Sequence, residues 1–117
     1  MVTKINKWEI YFCDLNPTRG SEQRGIRPVI IISNDSVNHN LPVSTVIPLS
    51  SMKENDKVYV TEIILPGEIT GLSKDSVAML QQIRTVSHNR LVNKAGVIGD
   101  DSYKEKILEM IKMYFEI

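Results

Sequence analysis

The hydrophobic pattern of this 117-residue chain changes its period once, and that change constrains the fold more than any other feature. Before Asp100, apolar residues occur in short runs that turn residues such as Asn16-Pro17 and Pro66-Gly67 interrupt. After Asp100, apolar residues stand at positions 107, 110, 111, 114 and 115, which is the spacing of one helix face. We therefore expect many short strands and one C-terminal helix, arranged as a small, mostly antiparallel barrel packed against that helix.

Runs rich in β-branched and aromatic residues predict the individual strands. They cover residues 8–15, 27–33, 43–49, 57–65 and 76–86, with a shorter strand around 95–98. Residues 34–36 have turn composition, and residues 50–56 are expected to form a polar loop. Within 76–86, alternation puts Gln81 on one face and Gln82 with Arg84 on the other. Ser102 and Glu105 fit a capping box at the helix start.

Length and charge limit the classes of protein that this chain can be. The length suits one domain over residues 1–117. The 14 basic residues balance 14 acidic residues, which argues against a protein that holds long nucleic acid by nonspecific charge but leaves room for a local basic site. No apolar segment follows Lys4 and Lys7 as in a signal peptide, and no apolar run could span a membrane, so a cytoplasmic location is expected.

Metal, thiol and histidine chemistry find little support in the sequence. Asp100-Asp101 is the only adjacent acidic pair, and it lies where helix capping explains it better than a metal does. His39 and His88 stand in turn-like surroundings, where a solvated histidine is the ordinary interpretation. Cys13 is the only cysteine and reads as a small buried side chain of a strand, although a Cys–His pair stays conceivable. We therefore expect neither a metal nor a cofactor.

Arg27 is the strongest remaining candidate for chemistry. It follows a polar loop bracketed by Gly20 and Gly25, and it precedes Pro28, which biases the arginine backbone toward an extended conformation. A guanidinium held at the base of such a loop suits bidentate contact with a phosphate. A surface ion pair with Glu22 or Asp14 explains the arginine about equally well.

Other polar side chains are expected near this arginine. Glu22 and Gln23 add hydrogen-bonding groups to the same loop. Ser50 and Ser51 follow the expected strand 43–49, so a hydroxyl could lie at its end, although simple turn residues explain both serines better.

Several motifs together resemble the MazF/PemK family of toxin endoribonucleases. The most specific is Gly20-Ser21-Glu22-Gln23 followed by Gly25-x-Arg27-Pro28-Val29. Supporting segments lie at residues 10–17, 32–35, 46–51, 75–77, 82–85 and 90–91 and in the C-terminal helix. The likeness covers nearly the whole chain.

The resemblance implies an SH3-like barrel that works as a homodimer and is neutralised by a cognate antitoxin protein. It also implies sequence-specific, metal-independent cleavage of single-stranded RNA, such as mRNA. In that reaction the 2′-hydroxyl attacks the adjacent phosphorus, which leaves a 2′,3′-cyclic phosphate and a 5′-hydroxyl end. The family's catalytic arginine falls on Arg27, and its catalytic threonine or serine falls on Ser50.

The resemblance also indicates residues that could bind or read RNA, because single strands expose their Watson–Crick edges. These are Ser21, Glu22, Gln23, Gln81, Gln82 and Arg84. One branch of the family carries a carboxylate where this chain has Gln81, which weakens the case for a general base there. The identity of the base stays open.

Two other functions are also compatible with the sequence. One is a non-enzymatic poison of the same fold, like the gyrase-binding relatives that act through the C-terminal helix. The apolar end of this chain, residues 114–117, keeps that alternative open, whereas the Gly-Ser-Glu-Gln loop speaks against it. The other is a barrel that binds protein or nucleic acid without chemistry.

Overall fold

The computed structural model of the chain describes residues 4–52 and 57–117. Seven strands and three α-helices follow one another in the order β1 (Glu9–Asp14), β2 (Ile26–Ile31), α1 (Asp35–Asn38), β3 (Val43–Ser51), β4 (Glu62–Leu65), α2 (Gly67–Thr70), β5 (Ser76–Met79), β6 (Arg84–Ser87), β7 (Leu91–Val97) and α3 (Asp101–Phe115). Short 3-10 turns at Leu80–Gln82 and His88–Arg90 flank β6.

The strands form one antiparallel sheet in the order β4-β5-β3-β2-β1-β7, with β6 also paired to β3. The expected β fold with a C-terminal helix is therefore confirmed. Among the described residues no ladder joins the edge strands β4 and β7, so the sheet stays open where a closed barrel would pair them.

Both faces of the sheet are covered, because each carries its own cluster of buried side chains. One cluster includes Tyr11, Val29 and Val46. The other includes Ile10 and Ile30, and it receives Ile107 of α3 among others. Residues of β1, β2 and β3 on opposite faces thus enter different clusters, as the pleat requires. This arrangement explains why the central strands lack a polar face.

The expected single strand over residues 76–86 is wrong, since it is two strands separated by a 3-10 turn. β3 pairs with β6 where Val46 lies opposite Arg84, and with β5 where Leu49 lies opposite Ala78. Along this stretch β3 advances three residues while its partner advances six, and Leu80–Gln82 form the turn that takes up the difference. The strict alternation that placed Gln81 and Gln82 on opposite faces ends there.

Smaller differences concern the ends of elements. The expected strand 57–65 is shorter, because Glu62 N donates to Tyr59 O and closes a turn before β4 begins. Residues 34–36 open the short helix α1, with Asn34 as N-cap. Ser50 and Ser51 belong to β3 and not to a loop, whereas residues 53–56 of the expected loop lie outside the described residues.

The N-cap of α3 is Asp100 and not Ser102. The Asp100 side chain accepts a hydrogen bond from Tyr103 N at 3.1 Å, which satisfies a donor that the first helical turn leaves free. Asp101 stands in the first turn, where the helix dipole favours a negative charge. The N-cap thus lies two residues before the one that the sequence pattern predicts.

Candidate nucleic-acid site beside Arg27

Arg27 is the second residue of β2 and lies opposite Cys13 of β1. Its side chain is half-buried, and its Nε donates to Arg24 O at 2.9 Å. The Gln23 amide lies against the guanidinium, and with its oxygen facing the cation it accepts from Nη2 at 3.1 Å and from Nη1 at 3.2 Å. The arginine is thus held by polar groups of its own loop, and no carboxylate within residues 4–52 and 57–117 forms an ion pair with it. The ion pair with Glu22 or Asp14 considered from the sequence is therefore not formed.

The loop before β2 folds back on itself. Glu22 Oε1 accepts from Arg19 N at 2.6 Å, and Glu22 N donates to Arg19 O. At the loop's base, Gly25 N donates to Asn16 Oδ1 at 3.2 Å. Gly25 has a φ of +85°, a conformation that glycine adopts without the strain a Cβ brings. These contacts bring the loop back to the sheet directly before Arg27.

Gln82 joins this loop to the 3-10 turn between β5 and β6. Its Oε1 accepts from Gln23 N, and its Nε2 donates to Ser21 O, both at 2.9 Å. The two partners lie about sixty residues earlier in the chain. One side-chain amide therefore fixes the backbone on either side of Glu22.

A groove of about 370 Å³ lies where the loop faces the 3-10 turn. Its lining is mostly polar and consists of Pro17, Glu22, Gln23, Pro48, Gln81, Gln82, Ile83 and Arg84. Five of the six residues expected to bind RNA are in this set; the sixth, Ser21, is exposed on the adjoining loop. The shift of register brings Gln81 and Gln82 to the same groove, which alternation along a single strand could not do.

Neither Arg27 nor Ser50 lines the groove itself, but the sheet places both at its border. Gln23 lines the groove and contacts Arg27 directly. Val29 of β2 lies opposite Pro48 of β3, and Pro48 also lines the groove. Arg27 stands two residues before Val29 in β2, and Ser50 stands two residues after Pro48 in β3, so alternation puts each on the same face as that paired residue. Ser50 is half-buried and pairs with Val77 of β5 on its other side.

Gln81 and Arg84 each have part of their hydrogen-bonding capacity occupied. Gln81 Oε1 accepts from Thr61 Oγ1 at 2.8 Å, and its Nε2 donates to Glu62 Oε2 at 2.7 Å. Arg84 Nη1 donates to Leu15 O at 3.0 Å. A guanidinium has five N–H donors, so most of those of Arg84 remain for a ligand. Sequence reasoning missed the support from Thr61 and Glu62, because only the β4–β5 pairing brings them beside Gln81.

Arg90 is another residue whose role the sequence did not indicate. Its Nη1 donates to Asp14 O at 3.1 Å and also to Asn16 O. Arg90 and Arg84 therefore hold the backbone where β1 runs into the loop. The sequence showed Arg90 only as part of a family motif, without a contact.

The thiol and the histidines lie apart from this groove. Cys13 is fully buried, and burial raises the pKa of its thiol to about 11, with Arg84 and Arg90 acting in the opposite direction. His88 Nε2 lies 2.8 Å from Ser44 Oγ, and His39 Nε2 lies 2.9 Å from Asn6 Oδ1. The conceivable Cys–His pair is therefore not formed.

In residues 4–52 and 57–117, no group of three or more His, Cys, Asp or Glu side chains is arranged to hold a metal ion. No helix within the same part of the chain is long and apolar enough to cross a membrane.

The fold and site define a small antiparallel β protein whose half-buried arginine stands at the border of a polar groove, an arrangement suited to gripping the phosphate of a single strand. Comparison with known families agrees. The model of the PemK-like, MazF-like toxins of type II toxin–antitoxin systems matches residues 6–115, and the chain belongs to this family. The resemblance recognised from the motifs is confirmed.

Two curated relatives cover most of the chain. One is endoribonuclease EndoA of Bacillus subtilis, 34% identical over 109 residues, which are 93% of this chain and 92% of the relative. The other is endoribonuclease MazF of Staphylococcus saprophyticus, 39% identical over 101 residues, 86% and 83% of the two chains. Both names agree with the enzyme class expected from the sequence.

Solved structures show the same fold at lower identity. MazF of Deinococcus radiodurans superposes with a TM-score of 0.83 at 18% identity, covering 99% of this chain and all of the other. An endoribonuclease of a mycobacterial species, solved with its cognate antitoxin, superposes with a TM-score of 0.76 at 18% identity, covering 97% of this chain and 96% of the other.

Proposed function

We propose that this chain is a toxin endoribonuclease that cuts single-stranded RNA, including mRNA, at a short sequence bound in the groove beside Arg27. Membership of the toxin family and relatives named endoribonucleases support the activity. The observation that carries the site is the half-buried guanidinium of Arg27, held by Gln23 and by the Arg24 carbonyl at the border of a polar groove.

The reaction we propose is attack of the ribose 2′-hydroxyl on the adjacent phosphorus. It gives a 2′,3′-cyclic phosphate and a 5′-hydroxyl end. Negative charge accumulates on the nonbridging oxygens in the transition state, and preorganised cationic donors stabilise that charge without a metal. Arg27 supplies these donors, since a guanidinium stays protonated at neutral pH. Ser50 positions the phosphate by a hydrogen bond.

Sequence selection is proposed for the polar side chains of the groove and of the loop at its rim. Ser21, Glu22, Gln23, Gln81, Gln82 and Arg84 make up this set. Glutamine and glutamate offer both donors and acceptors to base edges, and Arg84 offers free N–H groups to a phosphate or a base. Within this set, Gln82 contributes by holding the loop at the rim of the groove and not by reading a base edge.

A homodimer with a cognate antitoxin bound to it completes the proposal, and a cytoplasmic location follows because mRNA is translated there. A neighbouring structure is described as an endoribonuclease with its cognate antitoxin. Exposed apolar side chains offer surface for such contacts; they are Val58, Tyr59, Val60, Leu108, Met113, Tyr114, Phe115 and Ile117. Light scattering of the purified chain should give twice the monomer mass.

The test of the activity is incubation of the purified protein with mixed RNA in excess EDTA. Cuts at one short sequence, with 5′-hydroxyl ends that polynucleotide kinase labels directly, are the expected result. Activity that appears only after a divalent metal is restored would contradict the metal-free reaction. Intact RNA together with DNA topoisomerase trapped on DNA would favour the gyrase-poison alternative, and sequencing the cut ends would define the motif.

A further inference from the structure

Among the described residues that line the groove, Gln82 alone has a side-chain amide bonded at both ends to the loop at residues 20–25. Its oxygen accepts from Gln23 N, and its nitrogen donates to Ser21 O, both at 2.9 Å. Gln81, its neighbour in the same turn, is engaged instead with Thr61 and Glu62. The two adjacent glutamines therefore have different surroundings, although both line the groove.

We propose that Gln82 is a positioning residue that latches the loop at residues 20–25 onto the 3-10 turn and thereby orients Arg27. The connection runs through Gln23. The Gln23 backbone is held by Gln82, and the Gln23 side chain contacts the Arg27 guanidinium. Gln82 thus acts on the arginine without touching it. This role rests on the function proposed above and adds to it.

The local geometry explains why a latch is needed here. The loop contains two glycines with positive φ, Gly20 at +54° and Gly25 at +85°, and neither would meet another atom within 4 Å of an added Cβ. Open surroundings of this kind do not by themselves fix the loop. Glycine also loses more conformational entropy than other residues when it is ordered. Hydrogen bonds from outside the loop offset part of that entropy.

The latch competes with direct reading of a base by Gln82. A side-chain amide has two N–H donors and two lone pairs, and one of each is used in the latch. If the Gln82 side chain turned away from the loop to read a base, Gln23 N and Ser21 O would lose these hydrogen-bond partners. Keeping them makes the loop a preformed wall of the groove, and preorganisation of this kind contributes to the rate more than to binding.

The test uses Gln82→Met, which keeps the length of the side chain and removes both polar atoms. Asn89→Ala is the control, because it removes an exposed amide from the other 3-10 turn. Hydrogen exchange of the backbone N–H of Gln23 is measured by NMR in the RNA-free protein, so this measurement does not depend on whether the chain cuts RNA. Loss of two hydrogen bonds should accelerate that exchange by roughly tenfold, whereas Asn89→Ala should leave it unchanged.

Kinetics on an RNA with a mapped cut site give the second readout. Gln82→Met should lower kcat by at least about tenfold and change KM by less than about threefold, with the same cut sequence. Gln23 exchange within twofold of the wild-type rate would overturn the latch. A raised KM with a changed base preference and unchanged Gln23 exchange would also overturn it, and would assign Gln82 to base reading. A wild-type chain that does not cut RNA would refute the proposed activity but leave the exchange test intact.

Discussion

Arg27 of β2 lies directly opposite Cys13 of β1, yet only the arginine reaches solvent. Cys13 is 0% exposed and packs in the cluster that includes Tyr11 and Val29, whereas Arg27 is half-buried at the open end of the same ladder. A buried thiol and a solvent-facing cation are thus direct cross-strand neighbours in the β1–β2 ladder.

The first prediction concerns the thiol of Cys13. Burial raises its pKa to about 11 from an ordinary value of 9.0, so at pH 8 its thiolate fraction is roughly a hundredth of that in the unfolded chain. Iodoacetamide should therefore modify the native protein at least about 100-fold more slowly than the protein in urea, as followed by mass spectrometry. Rapid native alkylation would contradict the burial of this residue.

The same pKa makes stability depend on pH. The folded thiol keeps its proton where the unfolded thiol has lost it, so this group's contribution to the free energy of unfolding falls as pH rises from about 9 to about 11. Cys13→Ala should lower the free energy of unfolding by about 1 kcal/mol at pH 7. Between pH 9 and pH 11 the free energy of unfolding should fall less steeply in this variant than in the wild type. Tyr11, whose pKa is about 12, contributes its own loss in both proteins, so the difference between their urea midpoints isolates Cys13.

Replacement of Arg27 tests its proposed role in the transition state. Arg27→Ala should lower kcat by roughly 100- to 1,000-fold, and Arg27→Lys should recover little, because an ammonium lacks the planar fork of donors. Melting temperatures should stay within a few degrees of wild type, since the side chain is half-buried and held by its own loop. Arg24→Ala, an exposed neighbour in the same loop, should cut RNA within about threefold of wild type. Retained cutting by Arg27→Ala would refute the assignment.

Ser50 and Ser51 form a matched pair for testing the proposed hydroxyl. Neighbouring residues of a strand point to opposite faces, so Ser50, and not Ser51, is expected on the face of Pro48, which lines the groove. Ser51 lines a separate depression with Phe12 and Lys74. Ser50→Ala should lower kcat by at least about tenfold, whereas Ser51→Ala should leave it within about twofold. Equal effects of the two substitutions on cleavage would contradict the role of Ser50.

The change of hydrophobic period and the motif around Arg27 were enough to predict the fold class and the position of the arginine. The register shift could not be predicted, because no glycine or proline interrupts residues 76–86 to mark the turn. The turn at Leu80–Gln82 depends on which part of β3 each flanking strand pairs with, and the paired residues lie 25 to 44 positions apart in the chain. The latch between Gln82 and the loop depends on the same distant pairing.

Gly25 is expected to be required because its backbone conformation favours glycine, and not because a side chain would collide with neighbouring atoms. Its φ is +85°, and an added Cβ would meet nothing within 4 Å, so Gly25→Ala should cost about 1–2 kcal/mol through backbone strain alone. Gly99 also has open space but no positive φ, and Gly99→Ala should leave stability unchanged or raise it by up to about 1 kcal/mol. Urea midpoints of the two variants make the comparison; equal midpoints would show that the loop does not impose this conformation.

The start of α3 allows a similar comparison between the observed N-cap, Asp100, and the N-cap that the sequence pattern predicts, Ser102. Asp100 accepts from Tyr103 N, whereas Ser102 is exposed inside the first turn. Asp100→Ala should therefore lower the free energy of unfolding by about 1 kcal/mol, and Ser102→Ala should change it by less than about 0.5 kcal/mol. Because α3 buries Ile107 in the core, fraying of its first turn should also lower the melting temperature. A larger cost for Ser102→Ala would restore the capping box that the sequence pattern predicted.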